Sequence, residues 1–212
     1  MIPRSNRAPR APFTLAAAAF AAAALVAGCA LSRPSPVKQS YLIEPATPAA
    51  IATPQAASLR VGTVNVAAPF RGRPFVVREG ELRYETDFYS EFLVAPAPML
   101  GEATARALGG ARVFARVVAP GAPPDADYVL DGFVSALYED ARNAAAPAAD
   151  IVVTYYLARA DNPVPFWSKE YRQHVPITAA SPDAYAAGLS TGFGAIMAEL
   201  ARDLAAVELA RR

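Results

Sequence analysis

The sequence predicts an α/β domain, a mixed β-sheet with helices packed on it, carried behind an N-terminal leader and a tether. Three observations predict it. Residues 127–140, "DYVLDGFVSALYED", form the strongest β pattern in the chain, and further β-prone runs follow at 149–160 and 166–177. Apolar residues at Tyr185, Leu189, Phe193, Ile196, Leu200, Leu204 and Val207 recur at steps of three and four, the helical period. The first 58 residues hold a basic start, an apolar run and Pro/Ala/Thr-rich chain, none of which builds a packed core.

The opening decapeptide "MIPRSNRAPR" contains Arg4, Arg7 and Arg10 and no acid, and Phe13 to Val26 carry no charge. A basic n-region before an apolar run too short to span a bilayer is the grammar of a signal peptide. Val26-Ala27-Gly28-Cys29 resembles a bacterial lipobox, which implies cleavage between Gly28 and Cys29 and lipid on Cys29, the only cysteine of the chain. The domains expected are therefore a signal peptide over 1–28, a lipidated tether and linker over 29–58, and one α/β domain over 59–212. The lipid would anchor the protein to the periplasmic face of the outer membrane. Ala30 follows the cysteine where an enterobacterial aspartate would favour the inner membrane, which stays an alternative.

Within the tether, "YLIE" at 41–44 is a short strand, and "PATPAAIATPQAAS" at 45–58 reads as a loosely ordered connection. "LRVGTVNVAA" at 59–68 alternates as a strand does. "PFVVRE" and "ELRYET" flank Gly80 as two strands about a tight turn, and "YSEFLV" at 89–94 is a further extended piece. Met99 to Leu108 suit a helix, with Pro98 in its first turn and Gly109-Gly110 at its end. "ARVFARVV" at 111–118 is the next strand. The 127–140 strand is apolar on both faces and reads as central and covered on both sides, the first of three in an antiparallel meander. Ser181 caps the last helix, with Pro182 in its first position and Asp183 against its dipole.

Charge and composition exclude several classes. Three of the 20 basic residues lie in the leader, leaving 17 against 19 acids, a net charge of −2 for the mature chain. That is no footprint for nucleic acid. Gly188-Leu189-Ser190-Thr191-Gly192 matches G-x-S-x-G, but it lies inside the amphipathic helix and the one histidine, His174, precedes it. A nucleophile elbow needs a strand before the serine and a histidine after it. One histidine and a lipidated cysteine cannot make a zinc site, so His174 reads as an edge-strand residue. The acidic pairs Glu79/Glu81 and Glu139/Asp140 adjoin turns and read as solvated. No catalytic set, no metal site and no cofactor beyond the lipid are expected, and so no enzyme.

One segment stands apart. In residues 71–100, Tyr84, Phe88, Tyr89 and Phe92 fall within nine positions among charges of both signs. They either cap the core or, with Arg83, form a partner-binding surface, since interfaces enrich aromatics and arginine. This segment resembles the ABC-type transport auxiliary lipoproteins, the family that includes paraquat-inducible protein C. The resemblance rests on the lipobox, the Tyr41-Leu42 strand, the strand from Val61 to Pro69, "FVVREGELRYETDFYSEFLVAPAPML" at 75–100, the 127–140 strand and the terminal helix. It spans roughly 29–209 and is most specific at 75–100. Arg71-Gly72-Arg73 sits in a turn where relatives often carry other residues.

The resemblance implies a non-enzymatic, periplasm-facing part of a lipid-transport system. It implies an anticodon-binding-domain-like fold with helices on both faces of the sheet. Its implied partners are an MCE-domain protein, docked at the outer membrane, and the permease and ATPase of the same system. Self-association stays open. So do a lipid-binding or envelope-assembly lipoprotein and a regulator of a cell-wall enzyme.

Overall fold

The computed structural model describes residues 37–121 and 125–209. The leader, the bond between Gly28 and Cys29, and Cys29 itself lie outside the described residues. The elements are β1 (Gln39–Tyr41), β2 (Gln55–Val66), a 3-10 turn (Ala68–Phe70), β3 (Pro74–Arg78), β4 (Tyr84–Phe92), α1 (Pro96–Gly110), β5 (Phe114–Val118), β6 (Tyr128–Asp140), β7 (Ala148–Arg159), β8 (Asn162–Pro176) and α2 (Pro182–Ala206).

Eight strands form one mixed sheet organised about β6. One edge of β6 pairs antiparallel with β7 along its whole length, and β8 continues the meander. The other edge is shared. β2 runs parallel to its first half, from Leu59 opposite Tyr128 to Val66 opposite Val134, and β3 takes over at Glu139 and Asp140. β5 lies outside β2, while β4 and then β1 lie outside β3.

Both helices cover the same face. Thr104 of α1 is hydrogen-bonded at 2.8 Å to the Tyr155 hydroxyl, and Gly192 of α2 sits over Ile151 and Val175. Ile151 and Tyr155 point the same way along β7 because side chains alternate. The reading of β6 as covered on both sides is therefore corrected, as is the helix placement implied by the resemblance. Asp131, Phe133 and Ser135 face an open surface. A β-bulge between Val134 and Ala136 shifts the alternation, so Leu137, which counted toward a second apolar face, joins the helix side.

α2 starts where the sequence places it. Ser181 Oγ accepts the Ala184 N–H at 3.3 Å, and every stripe residue from Tyr185 to Leu204 is buried. A Cβ on Gly188 would come within 2.8 Å of Ala149 Cβ and Ile177 Cγ2, so the glycine lets the helix rest closely on the sheet. α1 begins three residues earlier than expected, with Pro96 in its first turn, and its last turn ends at Gly109-Gly110.

The 42–54 stretch is not a loose linker. It crosses the helix layer, pinned by buried Ile43, by the Glu44 N–H on Ser190 Oγ (3.1 Å) and by the Ile51 N–H on Ala111 O (2.7 Å). The early strand lies at Gln39–Tyr41 rather than 41–44, and β2 begins at Gln55. The Gln55 amide donates to the carbonyls of Leu204, Ala205 and Val207, closing the C-terminus of α2. Composition predicted looseness here, but two isoleucines and a capping glutamine hold the segment down.

Candidate partner-binding surface

β4 carries the four aromatics, and its register decides where each one goes. Between the pairs Pro74–Glu91 and Val76–Thr86, two residue steps of β3 face five of β4. The surplus bulges outward at 87–90. Asp87 Oδ1 accepts the N–H groups of Tyr89 (2.7 Å) and Ser90 (3.1 Å), which fixes the bulge as an Asx-type turn. Phe88 and Tyr89 are thrown out, 72% and 44% exposed, packed edge to face on each other at 5.1 Å. The Lys38 ammonium lies 5.3 Å from the Phe88 ring centre.

Phe92 goes the other way. After the bulge it turns inward, 2% exposed, against Phe75 at 4.7 Å. It is a core side chain, and its place in the expected surface is corrected. A strict alternation would have kept Tyr84, Phe88 and Phe92 on one face. The bulge breaks that alternation.

Tyr84 opens the strand at the opposite end and is half-exposed. Its ring stands edge-on to Phe70 (6.2 Å) and Tyr138 (5.7 Å), and the Arg78 guanidinium lies over both tyrosine rings at 5.5 and 5.7 Å. Arg83 is largely exposed and ion-paired to Glu79 at 2.6 Å. The structure thus divides the expected set in two along β4: Arg83 and Tyr84 at one end, Phe88 and Tyr89 at the other.

A polar network adjoins Tyr84 on the open face. Arg142 grips both oxygens of Asp140 at 2.7 to 3.2 Å and donates to Glu81 at 3.0 Å, while Arg78 donates to the Glu81 carbonyl at 3.0 Å. Asp150 and His174 are cross-strand partners, with Nδ1 3.0 Å from Oδ2. Glu139 and Asp140, read as solvated, are instead buried, because β6 stays paired with both β3 and β7 up to its last residue. Burial pushes the Glu139 carboxyl above its ordinary range, whereas the Arg142 hydrogen bonds hold Asp140 below its own. Burial also raises Asp150, against the hydrogen bond from His174.

Ligand atoms of Asp140, Asp150 and His174 lie within 4.8 Å of one another. The bidentate guanidinium already neutralises Asp140, so a cation there would have to displace Arg142. Sequence reading missed this cluster because it depends on the β7–β8 register. Ser190 of the G-x-S-x-G match donates to Ala186 O and accepts from Glu44, both structural bonds inside the helix layer.

A pH dependence follows. A carboxylate with a depressed pKa stabilises the fold above its unfolded-state pKa, and that contribution is lost as pH falls through the folded value. Arg142→Ala should therefore destabilise the protein near neutral pH. The gap to wild type should close as the pH drops below the folded pKa of Asp140, read from urea melts across pH. A gap of constant size would show that the guanidinium acts through packing alone.

The chain matches no protein-family model and no curated protein. Among solved structures it is similar to protein XCC0632 from Xanthomonas campestris, of the family model DUF330, with a TM-score of 0.69, 20% identity and coverage of 77% of this chain and 92% of that one. It is similar to a second crystal structure, of an uncharacterized protein, at a TM-score of 0.59 and 14% identity over 75% of this chain and 99% of that one. PelC from Paraburkholderia phytofirmans, a dodecamer, overlays at a TM-score of 0.41 and 17% identity over 76% of this chain and 95% of that one, too loosely to carry an argument. The first two share the fold.

Proposed function

We propose that this protein is a lipid-anchored, non-enzymatic docking component of an envelope lipid-transport system, holding an MCE-domain protein at the outer membrane beside the permease and ATPase of that system. The observation that supports it most is the segment 75–100. The part of the chain that carries the resemblance to the ABC-type transport auxiliary lipoproteins also brings Arg83, Tyr84, Phe88 and Tyr89 to the surface. Arg83, Tyr84, Arg78 and Tyr138 together offer the amphipathic ring-and-guanidinium chemistry that interface hot spots use. The lipobox around Cys29 supplies the anchor.

A lipid-binding reading has its own observation. A cleft of about 1010 Å³ opens between the start of β2, the β7–β8 turn and the end of α2. Asp127, Arg159, Asp161 and Glu208 line it beside Ala57, Tyr128 and Leu209, which makes it too charged for an acyl-chain site. Docking is the better account.

The test is capture of an MCE-domain protein from the native envelope by tagged, lipidated protein, compared with the Arg83→Glu/Tyr84→Ala double variant. Capture should fall about tenfold or more, the scale of one hot-spot loss, with an unchanged circular dichroism spectrum. Undiminished capture would remove this surface from the account, and an unfolded variant would show that Tyr84 is a core residue.

A further inference from the structure

Among the described residues, β1 is the outermost strand on its side of the sheet and pairs only with β4. Along this edge Leu42, Phe88, Tyr89, Leu93 and Val94 are exposed, five of the eleven large hydrophobic side chains that the described residues leave in solvent. Their exposure is built into the backbone. Asp87 fixes the turn that carries Phe88 and Tyr89, and the Leu93 N–H is bonded to Tyr41 O at 2.8 Å. A monomeric soluble surface rarely keeps such side chains together without something to cover them.

Chain connectivity says what covers them. Lys38 lies on this edge, over Phe88 and 3.5 Å from Glu91. Cys29 is nine residues upstream. Nine residues, even fully extended, reach about 30 Å, so a lipid on Cys29 keeps this edge near the bilayer surface. The chemistry suits that position. Aromatic rings settle at the headgroup level, and a lysine ammonium can reach phosphate while its stem stays among apolar groups. Lys38 and Arg73 share the carboxylate of Glu91, and with the Asp87 carboxylate counted beside them the edge is close to neutral, so its apolar side chains rather than a net charge suit it to the bilayer. A second copy is a poor occupant, since a three-residue edge strand offers little backbone to pair.

We propose that the β1–β4 edge is the membrane-facing surface of the domain, with Phe88 and Tyr89 seated in the headgroup region of the lipid bilayer and Leu42, Leu93 and Val94 against its apolar boundary. This inference rests on the lipoprotein reading of Cys29. It leaves Arg83 and Tyr84, at the other end of β4, for the protein partner.

The experiment places an environment-sensitive fluorophore on the lipidated full chain at Phe88→Cys, at Leu93→Cys and, as the reference, at Val164→Cys near the start of β8. A lipidated Cys29 has no free thiol, so labelling is specific. All three native side chains are exposed, so the variants should fold. The protein is reconstituted into phosphatidylethanolamine/phosphatidylglycerol vesicles containing brominated phosphatidylcholine. Quenching at positions 88 and 93 should exceed that at 164 by about twofold or more, as expected for groups buried at the headgroup–acyl boundary. Equal quenching at all three positions, with Cys29 shown by mass spectrometry to be lipidated, overturns the proposal and leaves the lipoprotein reading intact. An unmodified Cys29 overturns both. Shielding of position 88 that rises with protein concentration in detergent, without lipid, makes a second copy the occupant and also overturns it.

Discussion

Phe92→Ala should lower the free energy of unfolding by about 3–5 kcal/mol, while Phe88→Ala, four residues earlier on the same strand, should change it by no more than about 0.5 kcal/mol. The difference comes from the bulge at 87–90. Phe92 is 2% exposed and packs against Phe75, which in turn stacks on Tyr41 and Tyr185. Truncating it empties a site lined by aromatic rings that cannot collapse into the space. Phe88 touches Tyr89 and Lys38 and is otherwise in solvent. Urea melts of the two variants, followed through Trp167, measure both values. Equal losses would mean that β4 runs as a regular strand without the outward turn.

Cys29→Ser should move the protein from the membrane fraction to the soluble fraction. A buried methylene contributes about 0.8 kcal/mol, so one acyl chain holds a protein marginally and two or three hold it durably. A serine accepts none of them. Fractionation of cells expressing wild type and variant, with immunodetection of each fraction, checks this directly. A variant that stays fully in the membrane pellet would show that Cys29 is not the anchor. Wild type and variant alike in the soluble fraction would instead mark the basic n-region, the apolar run from Phe13 to Val26 and the small residues before the cysteine as an ordinary secretory signal.

What could be read from sequence was the part fixed by local rules. Ser181, Pro182 and the stripe from Tyr185 to Leu204 define α2 by capping chemistry and a 3.6-residue period, and the helix obeys both. The β6–β7–β8 meander follows from alternation and turn composition. What escaped depends on partners distant in sequence. The bulge in β6 exists only in its pairing with β7, where Val134 faces Val153 and Ala136 faces Val152. That one-residue slip moved Leu137 to the helix side, while Asp131, Phe133 and Ser135 stay exposed on the opposite face.

The candidate surface was half legible for the same reason. Arginine and aromatics among mixed charges mark residues 71–100 as unusual, but spacing alone cannot separate exposed Phe88 from buried Phe92. Asp87, placed just before Phe88-Tyr89, was the one local signal that could have done so, because aspartate readily bonds the backbone two residues on. The Asp150–His174 pair and the burial of Glu139 and Asp140 needed the strand register and were out of reach. Residues 45–54 misled through composition, since their prolines and alanines hide Ile51, which packs against the core.

The most direct test of the docking account is a gentle-detergent pull-down of the tagged, lipidated wild-type protein from its own envelope, with mass spectrometry of what it captures. The account predicts recovery of an MCE-domain protein. Recovery of only cell-wall enzymes or bulk outer-membrane proteins would contradict it.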